Sequence, residues 1–270
     1  MAYRVSFLFP DDGPLGLEES VDMLAEKAPK AIACRTDGLG SYDEADIYIC
    51  LGFPKNPLDG RYALVLSSET TEIVNKGTRA VFEGAFMTVF ASPEQLAREK
   101  RRWVGTNWSC PTIALPPAVD PALFLDGRQK RNGAVWMGKF DHRAGLRDAI
   151  EWAKDKRVRL YMYGEGRPFL WLRDYYERPT NAGDLRLESW PSILERPDIY
   201  NRAVSLVYFP KEFEPCPAQC VEAILCGCRV ETNGNNGFTS WGWSAERWAS
   251  EMKVLPDKFW RALVMRMTGG

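Results

Sequence analysis

Short apolar runs alternate with amphipathic segments through the first half of the chain. Four runs rich in β-branched and aromatic residues are predicted as buried strands: residues 4–9, 46–51, 62–66 and 87–91. Residues 18–27 follow a helical pattern of apolar positions. Ser92 followed by Pro93 predicts the start of another helix, because serine caps helices and proline suits their first position. This alternation of strands and helices predicts a parallel α/β sheet.

The same alternation restarts after residues 126–132, a polar segment that predicts a linker between two domains. The predicted elements that follow are strands at 134–137, 159–163, 204–209 and 229–232, helices at 146–154 and 218–226, and one or two tail helices over 245–267 with Pro256 between them. We therefore expect two facing, Rossmann-like doubly wound domains, 1–125 and 126–270, with the C-terminal helices returning toward the first. Ligand sites in such sheets lie outside the carboxyl ends of the strands.

Composition agrees with a folded, water-soluble protein. Hydrophobic residues make up 45% of the 270 residues and charged residues 26%, which excludes an intrinsically disordered chain. No apolar run approaches the roughly 20 residues that span a bilayer, and residues 5–9 are too short for a secretory signal. The seven cysteines are an odd number, which argues against a disulfide framework. We expect a reduced, cytoplasmic protein (the host cytoplasm if the protein is phage-encoded).

Charge is distributed unevenly between the two halves. The net charge is −1, which argues against a generally cationic nucleic-acid binder. Residues 1–125 contain 12 basic and 17 acidic side chains, or −5, whereas residues 126–270 contain 23 and 19, or +4. The basic second half is compatible with an anionic ligand, although the excess is too small to establish one.

The most informative stretch contains two glutamates separated by seven residues, Glu214 and Glu222. Between residues 218 and 228 the polar side chains are Gln219 and Glu222, so Glu222 lies on an otherwise apolar helix. A buried carboxylate requires a partner or a ligand. Pro217 suits the first helical position, and a helix N-terminus favours anions because its free N–H groups and positive dipole end point outward.

This stretch resembles the retaining GT-B glycosyltransferases of the family-four type. Four segments are similar to that family's motifs in order and spacing: Glu214-Pro215-Cys216-Pro217 with Glu222-Ala223 and Gly227, Pro116-Pro117-Ala118-Val119-Asp120 with Phe124, Gly138-Lys139, and Gly164-Glu165-Gly166. Together they extend over about residues 88–240, and the first ninety residues resemble the family in their α/β pattern alone. The resemblance implies a GT-B fold and a glycosyltransferase, either a hexosyl- or a pentosyltransferase.

The resemblance also implies roles for individual residues. Lys139 and Arg143 contact the donor diphosphate, and Glu214 hydrogen-bonds hydroxyls of the donor sugar. Glu222 binds the ribose of the nucleotide. The remaining implied positions are Gly138, Gly164, Asn233, Gly234 and Asn235 on the donor side, and Gly13 and Gly16 in the acceptor-side loop.

Two positions depart from the family pattern. Ala144 stands where a basic residue normally precedes the glycine matched by Gly145, so Arg143 would have to replace it. Cys216-Pro217 replaces Phe-Gly, and Pro217 has no N–H to donate to the sugar. The implied reaction proceeds with retention and without a metal, since the basic side chains and helix N-termini stabilise the leaving diphosphate. No cofactor is expected apart from the co-substrate, for which a UDP-sugar is favoured over a GDP-sugar.

Other interpretations of these residues stay open. Glu222 alternatively pairs with a buried arginine, and Lys139, Arg143 and Glu214 are alternatively solvated surface charges. A zinc site at Cys216, Cys220, Cys226 and Cys228 is disfavoured, because the spacing lacks paired C-x-x-C motifs. His142, the one histidine of the chain, is a candidate base, although a surface position is favoured.

The acceptor is not determined by the sequence, and glycans, small molecules and modified DNA bases all contain suitable hydroxyls. One hypothesis is a phage-type enzyme acting on hydroxymethylated pyrimidines in DNA, against which the acidic first half argues. A second is a non-catalytic nucleotide-sugar binding module. A dinucleotide enzyme ranks last, because no G-x-G-x-x-G follows the first strand.

Overall fold

The computed structural model describes residues 3–9, 17–30, 32–38, 45–51, 62–66, 81–102, 110–140, 143–165 and 185–268. Within these ranges the first half contains six strands, two helices and a further helical segment at residues 81–84. The strands and the two helices are β1 (Tyr3–Phe9), α1 (Leu17–Glu26), β2 (Ile32–Gly38), β3 (Ile47–Leu51), β4 (Tyr62–Leu66), β5 (Met87–Phe90), α2 (Pro93–Arg102) and β6 (Thr112–Ala114). The strands pair in parallel in the order β2-β1-β3-β4-β5-β6. The parallel sheet predicted for this half is therefore observed.

The second half forms another parallel sheet. Its elements are β7 (Ala134–Lys139), α3 (Leu146–Lys156), β8 (Leu160–Glu165), β9 (Leu185–Ser189), α4 (Arg196–Arg202), β10 (Ser205–Tyr208), α5 (Ala218–Leu225), β11 (Arg229–Thr232), a short 3₁₀ helix (Gly237–Trp241) and α6 (Ala245–Met267). The strand order is β11-β10-β7-β8-β9. Connections from β7 run one way across the sheet toward β8 and β9, whereas β10 and β11 lie on the other side of β7.

Burial explains why these segments become strands. Every residue of β3 and β5 is buried, as are the first five residues of β7. Continuous burial is expected for parallel strands that are covered on both faces of the sheet. The predicted cap of α2 is also observed, since the Ser92 hydroxyl oxygen accepts a hydrogen bond from the Gln95 amide at 3.1 Å. Pro217, in contrast, occupies the N-cap of α5, one residue before the position predicted for it.

The C-terminal tail is a single helix that connects the two sheets. Helix α6 includes the buried Pro256, so the tail does not divide at this residue. Trp260 on α6 donates its indole N–H to the Leu24 carbonyl of α1 at 2.7 Å, and its ring lies edge-on to Phe7 of β1. The expected return of the tail toward the first sheet is confirmed.

The predicted linker, residues 126–132, packs against residues of the second half of the chain. The Arg131 guanidinium donates to the Asp126 carboxylate at 2.6 Å and to the Cys226 and Ala203 carbonyls. The Gly127 amide donates to the Asn201 side chain at 2.6 Å. The domain boundary at residues 125 and 126 stays a prediction. Among the described residues, no helix is both long and apolar enough to cross a membrane.

Candidate functional site

The connections diverge between β7 and β10, which are hydrogen-bonded neighbours in the second sheet. Such a switch point opens a crevice at the carboxyl ends of the strands, and it is the usual ligand position in doubly wound sheets. The loops that follow β7 and β10 meet there, because the Lys211 amide donates to the Arg143 carbonyl at 2.8 Å. The topology therefore brings the two most informative loops of the sequence to one place.

Gly145 allows the two loops to approach this closely. Its φ of +66° lies in the left-handed region that glycine favours, and a Cβ there would be 1.8 Å from the Phe209 carbonyl oxygen. Helix α3 begins at the next residue, Leu146, so its N-terminus lies beside the β10 loop. Any larger residue at position 145 would push the β10 loop away from this helix end.

The basic residues predicted for the site lie on the β7 loop. Lys139 is the last residue of β7 and is exposed, and Arg143, just before α3, is exposed as well. Ala144 between Arg143 and Gly145 is buried, and its carbonyl accepts a hydrogen bond from the Trp136 indole at 3.2 Å. A long basic side chain would not fit at position 144, which explains why this departure from the family pattern suits the local packing.

Gly138 and Gly164 are paired across β7 and β8. A Cβ on Gly164 would lie 2.0 Å from the Phe140 ring, and one on Gly138 would lie 2.9 Å from the Trp136 ring. Trp136 and Phe140 stack with ring centroids 5.7 Å apart. Both glycines thus make room for an aromatic stack beneath the loops, which is a packing role that the sequence did not predict.

Glu214 is half-buried in the loop after β10 and is held by three groups. Both of its carboxylate oxygens lie within hydrogen-bond distance of the Tyr208 hydroxyl, at 2.8 and 2.9 Å. Its amide donates to the Asn235 carbonyl and its carbonyl accepts from the Gly237 amide, each at 2.9 Å. Glu214 and the 233–237 loop are therefore hydrogen-bonded to each other, and their donor-side roles stay predictions.

The asparagines of that loop hold the chain after β10. The side-chain amides of Asn233 and Asn235 donate to the Pro210 carbonyl at 3.0 and 3.1 Å, and Asn235 also donates to the Lys211 carbonyl. The Asn235 amide donates to the Asn233 side chain at 3.0 Å. Gly234 at the tip is exposed and has open space around it. Asn233 and Asn235 thus shape the loop.

Glu222 on α5 is buried, with 3% of its surface exposed. Its carboxylate accepts hydrogen bonds from the Arg196 guanidinium at 3.1 Å and from the Tyr200 hydroxyl at 3.0 Å. Burial and the nearby Glu222 charge raise the pKa of Tyr200 well above its usual value, so its hydroxyl stays a donor. The buried arginine pair expected as one alternative is observed; the ribose role stays a prediction.

A cavity of about 230 Å³ adjoins Glu222 between the two sheets' layers. Asp22 and Met23 of α1, Phe124 of the segment before the linker, and Ala218 of α5 are among the residues that line it. Glu222 therefore borders this cavity in spite of its low exposure.

The first half of the chain also contacts the donor-side loop. The Trp241 indole donates to the Ala91 carbonyl at 3.3 Å, and the Glu94 amide donates to the Ser240 hydroxyl at 3.4 Å. A Cβ on Gly237 would lie 2.4 Å from the Ser92 hydroxyl oxygen. The N-terminus of α2 thus lies next to the segment that holds Glu214. Gly13, Gly16 and His142 lie outside the described residues.

The four clustered cysteines are buried thiols. Burial raises the pKa of Cys226 and of Cys228 to about 12, and those of Cys216 and Cys220 rise for the same reason. In the part of the chain that the structure describes, no group of three or more histidine, cysteine, aspartate or glutamate side chains is arranged to hold a metal ion.

Several solved structures share this arrangement, and the similarity covers nearly the whole chain. The glycosyltransferase AviGT4, involved in avilamycin A biosynthesis, is similar with a TM-score of 0.66 at 14% identity, over 99% of both chains. The Anabaena protein HepE in complex with UDP-glucose is similar with a TM-score of 0.66 at 11% identity, over 93% of this chain and 89% of that one. Sucrose-phosphate synthase from Thermosynechococcus elongatus gives 0.65 at 14% identity, over 96% and 91%.

No protein-family model matches the sequence, and no curated protein matches it. At these low identities the similarity shows the fold. The chain has the GT-B fold of two facing Rossmann-like units, as the four sequence motifs implied.

Proposed function

We propose that this protein is a retaining glycosyltransferase that uses a nucleoside-diphosphate sugar, with a UDP-sugar favoured over a GDP-sugar. The observation that supports this most is the meeting of two loops at the β7/β10 switch point. One loop presents Lys139 and Arg143, and the other presents Glu214. The GT-B fold supports the same proposal, since AviGT4 is a glycosyltransferase and HepE is described in complex with UDP-glucose.

Each part of the site has a role in this reaction. Lys139, Arg143 and the N-terminus of α3 provide positive potential for the diphosphate. Glu214 accepts hydrogen bonds from sugar hydroxyls, and Glu222 accepts them from the ribose. The donor thus extends from the cavity beside Glu222 toward the loops after β7 and β10.

The transfer step breaks the bond between the anomeric carbon and the diphosphate oxygen. An acceptor hydroxyl oxygen forms the new bond on the same face of the sugar, and its proton passes to the departing diphosphate. Negative charge develops on the diphosphate as it leaves, so fixed cations beside it lower the barrier. We propose that Lys139 and Arg143 supply this charge in place of a metal ion.

The test compares two lysine variants in an assay of UDP-glucose consumption. Lys139→Ala should lose most turnover and keep the wild-type unfolding temperature, because Lys139 is exposed at the end of β7. Lys156→Ala, at the far end of α3 with its side chain 57% exposed, should keep both. Turnover near the wild-type level in Lys139→Ala would contradict the proposed role.

A second candidate is a module that binds nucleotide sugars without turning them over. Pro217 at the N-cap of α5 favours it, because this residue has no N–H for the sugar and no side-chain group that caps the helix. Such a module would bind UDP-glucose with neither hydrolysis nor transfer to any acceptor, including hydroxymethylated DNA.

A further inference from the structure

Tyr208 is the last residue of β10 and is 3% exposed. Its hydroxyl reaches both oxygens of the Glu214 carboxylate at nearly equal distances, 2.8 and 2.9 Å. A carboxylate only accepts hydrogen bonds, so the phenol is the donor. A symmetric contact of this kind fixes the direction in which the carboxylate points.

The main chain of Glu214 is fixed independently of its side chain. Its amide donates a hydrogen bond to the Asn235 carbonyl, and its carbonyl accepts one from the Gly237 amide. These two bonds pair Glu214 with Asn236 as an isolated parallel β-bridge. Asn236 itself is fully buried, and its side chain accepts from the Phe238 amide at 2.9 Å. The backbone bonds set the position of Glu214, whereas Tyr208 sets the orientation of its carboxylate.

The hydroxyl of Tyr208 is not needed to fill space. A phenylalanine ring would occupy the same buried position without a polar atom that requires a partner. Each carboxylate oxygen has two acceptor sites, and the Tyr208 hydroxyl has a single proton to share between the two oxygens. The contact therefore orients Glu214 without using the full acceptor capacity of either oxygen.

From this geometry we infer that Tyr208 is a positioning residue that aims Glu214 at the donor sugar. The inference rests on the proposed function, in which Glu214 binds the sugar and the nucleotide is bound elsewhere. It places Tyr208 among the determinants of sugar recognition, and it predicts that removing the hydroxyl affects the sugar and spares the nucleotide.

The experiment measures UDP-glucose and UDP binding by calorimetry in the wild type and in Tyr208→Phe. We expect UDP-glucose to bind about tenfold more weakly in the variant, because a carboxylate that is no longer oriented loses about one hydrogen bond to a sugar hydroxyl. UDP binding should be unchanged, which also shows that the variant is folded. In a Glu214→Gln background, Tyr208→Phe should cause no further loss of UDP-glucose affinity.

Tyr62→Phe is the matched control, because Tyr62 is a buried tyrosine of the first sheet whose hydroxyl donates to the Val81 carbonyl. It should leave the preference for UDP-glucose over UDP at the wild-type value. An unchanged preference in Tyr208→Phe, an equal loss of UDP binding, or an additive loss in the double variant would overturn the inference alone. A wild type that binds neither UDP-glucose nor any of UDP, GDP, ADP and TDP would overturn the proposed function and the inference together.

Discussion

Replacing Glu222 by glutamine tests the buried ion pair beside the cavity. Glu222 and Arg196 have side chains that are 5% and 6% exposed, with 3.1 Å between the guanidinium nitrogen and the carboxylate oxygen. Glutamine keeps the size and one acceptor oxygen, but it removes the negative charge. Arg196 would then remain buried with its charge uncompensated by Glu222.

The size of the effect follows from that burial. Breaking a buried pair by removing one partner costs about 3–5 kcal/mol, since an uncompensated charge stays in a low-dielectric interior. Because glutamine retains a hydrogen bond to Arg196, we take the lower end, about 3 kcal/mol. For a chain of this size each kcal/mol lowers the unfolding temperature by about 2–4 °C, so the expected decrease is about 6–12 °C.

The assay is thermal and urea unfolding of Glu222→Gln beside a control on the same helix as Arg196. Asp198→Asn removes an exposed pair with Arg202, whose side chains are 68% and 72% exposed, and should cause no measurable change. If Glu222→Gln unfolds at the same temperature as this control, the buried pair does not stabilise the fold and the reasoning is refuted. If adding Arg196→Met to Glu222→Gln lowers the unfolding temperature no further, the two residues are energetically coupled.

Two further predictions concern buried groups near the site. Gly145→Ala should unfold at a markedly lower temperature and lose nucleotide binding, because its φ of +66° and the 1.8 Å approach to Phe209 leave no room for a Cβ; a wild-type melting curve would contradict this. Cys226 and Cys228, with thiol pKa values raised by burial to about 12, should resist iodoacetamide at pH 8 in the folded protein and react after unfolding, as followed by mass spectrometry. Labelling of the folded protein at the unfolded rate would contradict the burial of these thiols.

The strands that sequence patterns missed are all edge strands. Residues 32–38, 112–114 and 185–189 form β2, β6 and β9, each at an outer position of its sheet. An edge strand pairs on one side and is less enclosed than a central one, so it does not need a continuous apolar run. The central strands, which are enclosed on both faces, were predicted to within about two residues.

Some residues of the candidate site could be predicted from the sequence, and others could not. The spacing of Glu214 and Glu222 and the basic residues of the β7 loop were visible in the sequence. Their partners Tyr208, Arg196 and Tyr200 were not, because neither a tyrosine at the end of an apolar strand nor an arginine and a tyrosine in a short helix have a local pattern that marks a carboxylate partner. Only the tertiary structure brings each donor to its acceptor.

Thermal unfolding with added nucleotides tests the central claim most directly, which is that the β7/β10 crevice binds a nucleoside diphosphate. UDP, GDP, ADP, TDP and NAD would be compared on the wild type and on Lys139→Ala. One diphosphate at a hundredfold excess over its Kd should stabilise the wild type by about 2.7 kcal/mol, and Lys139→Ala should show a smaller shift. Stabilisation by NAD with none by any diphosphate would contradict the account.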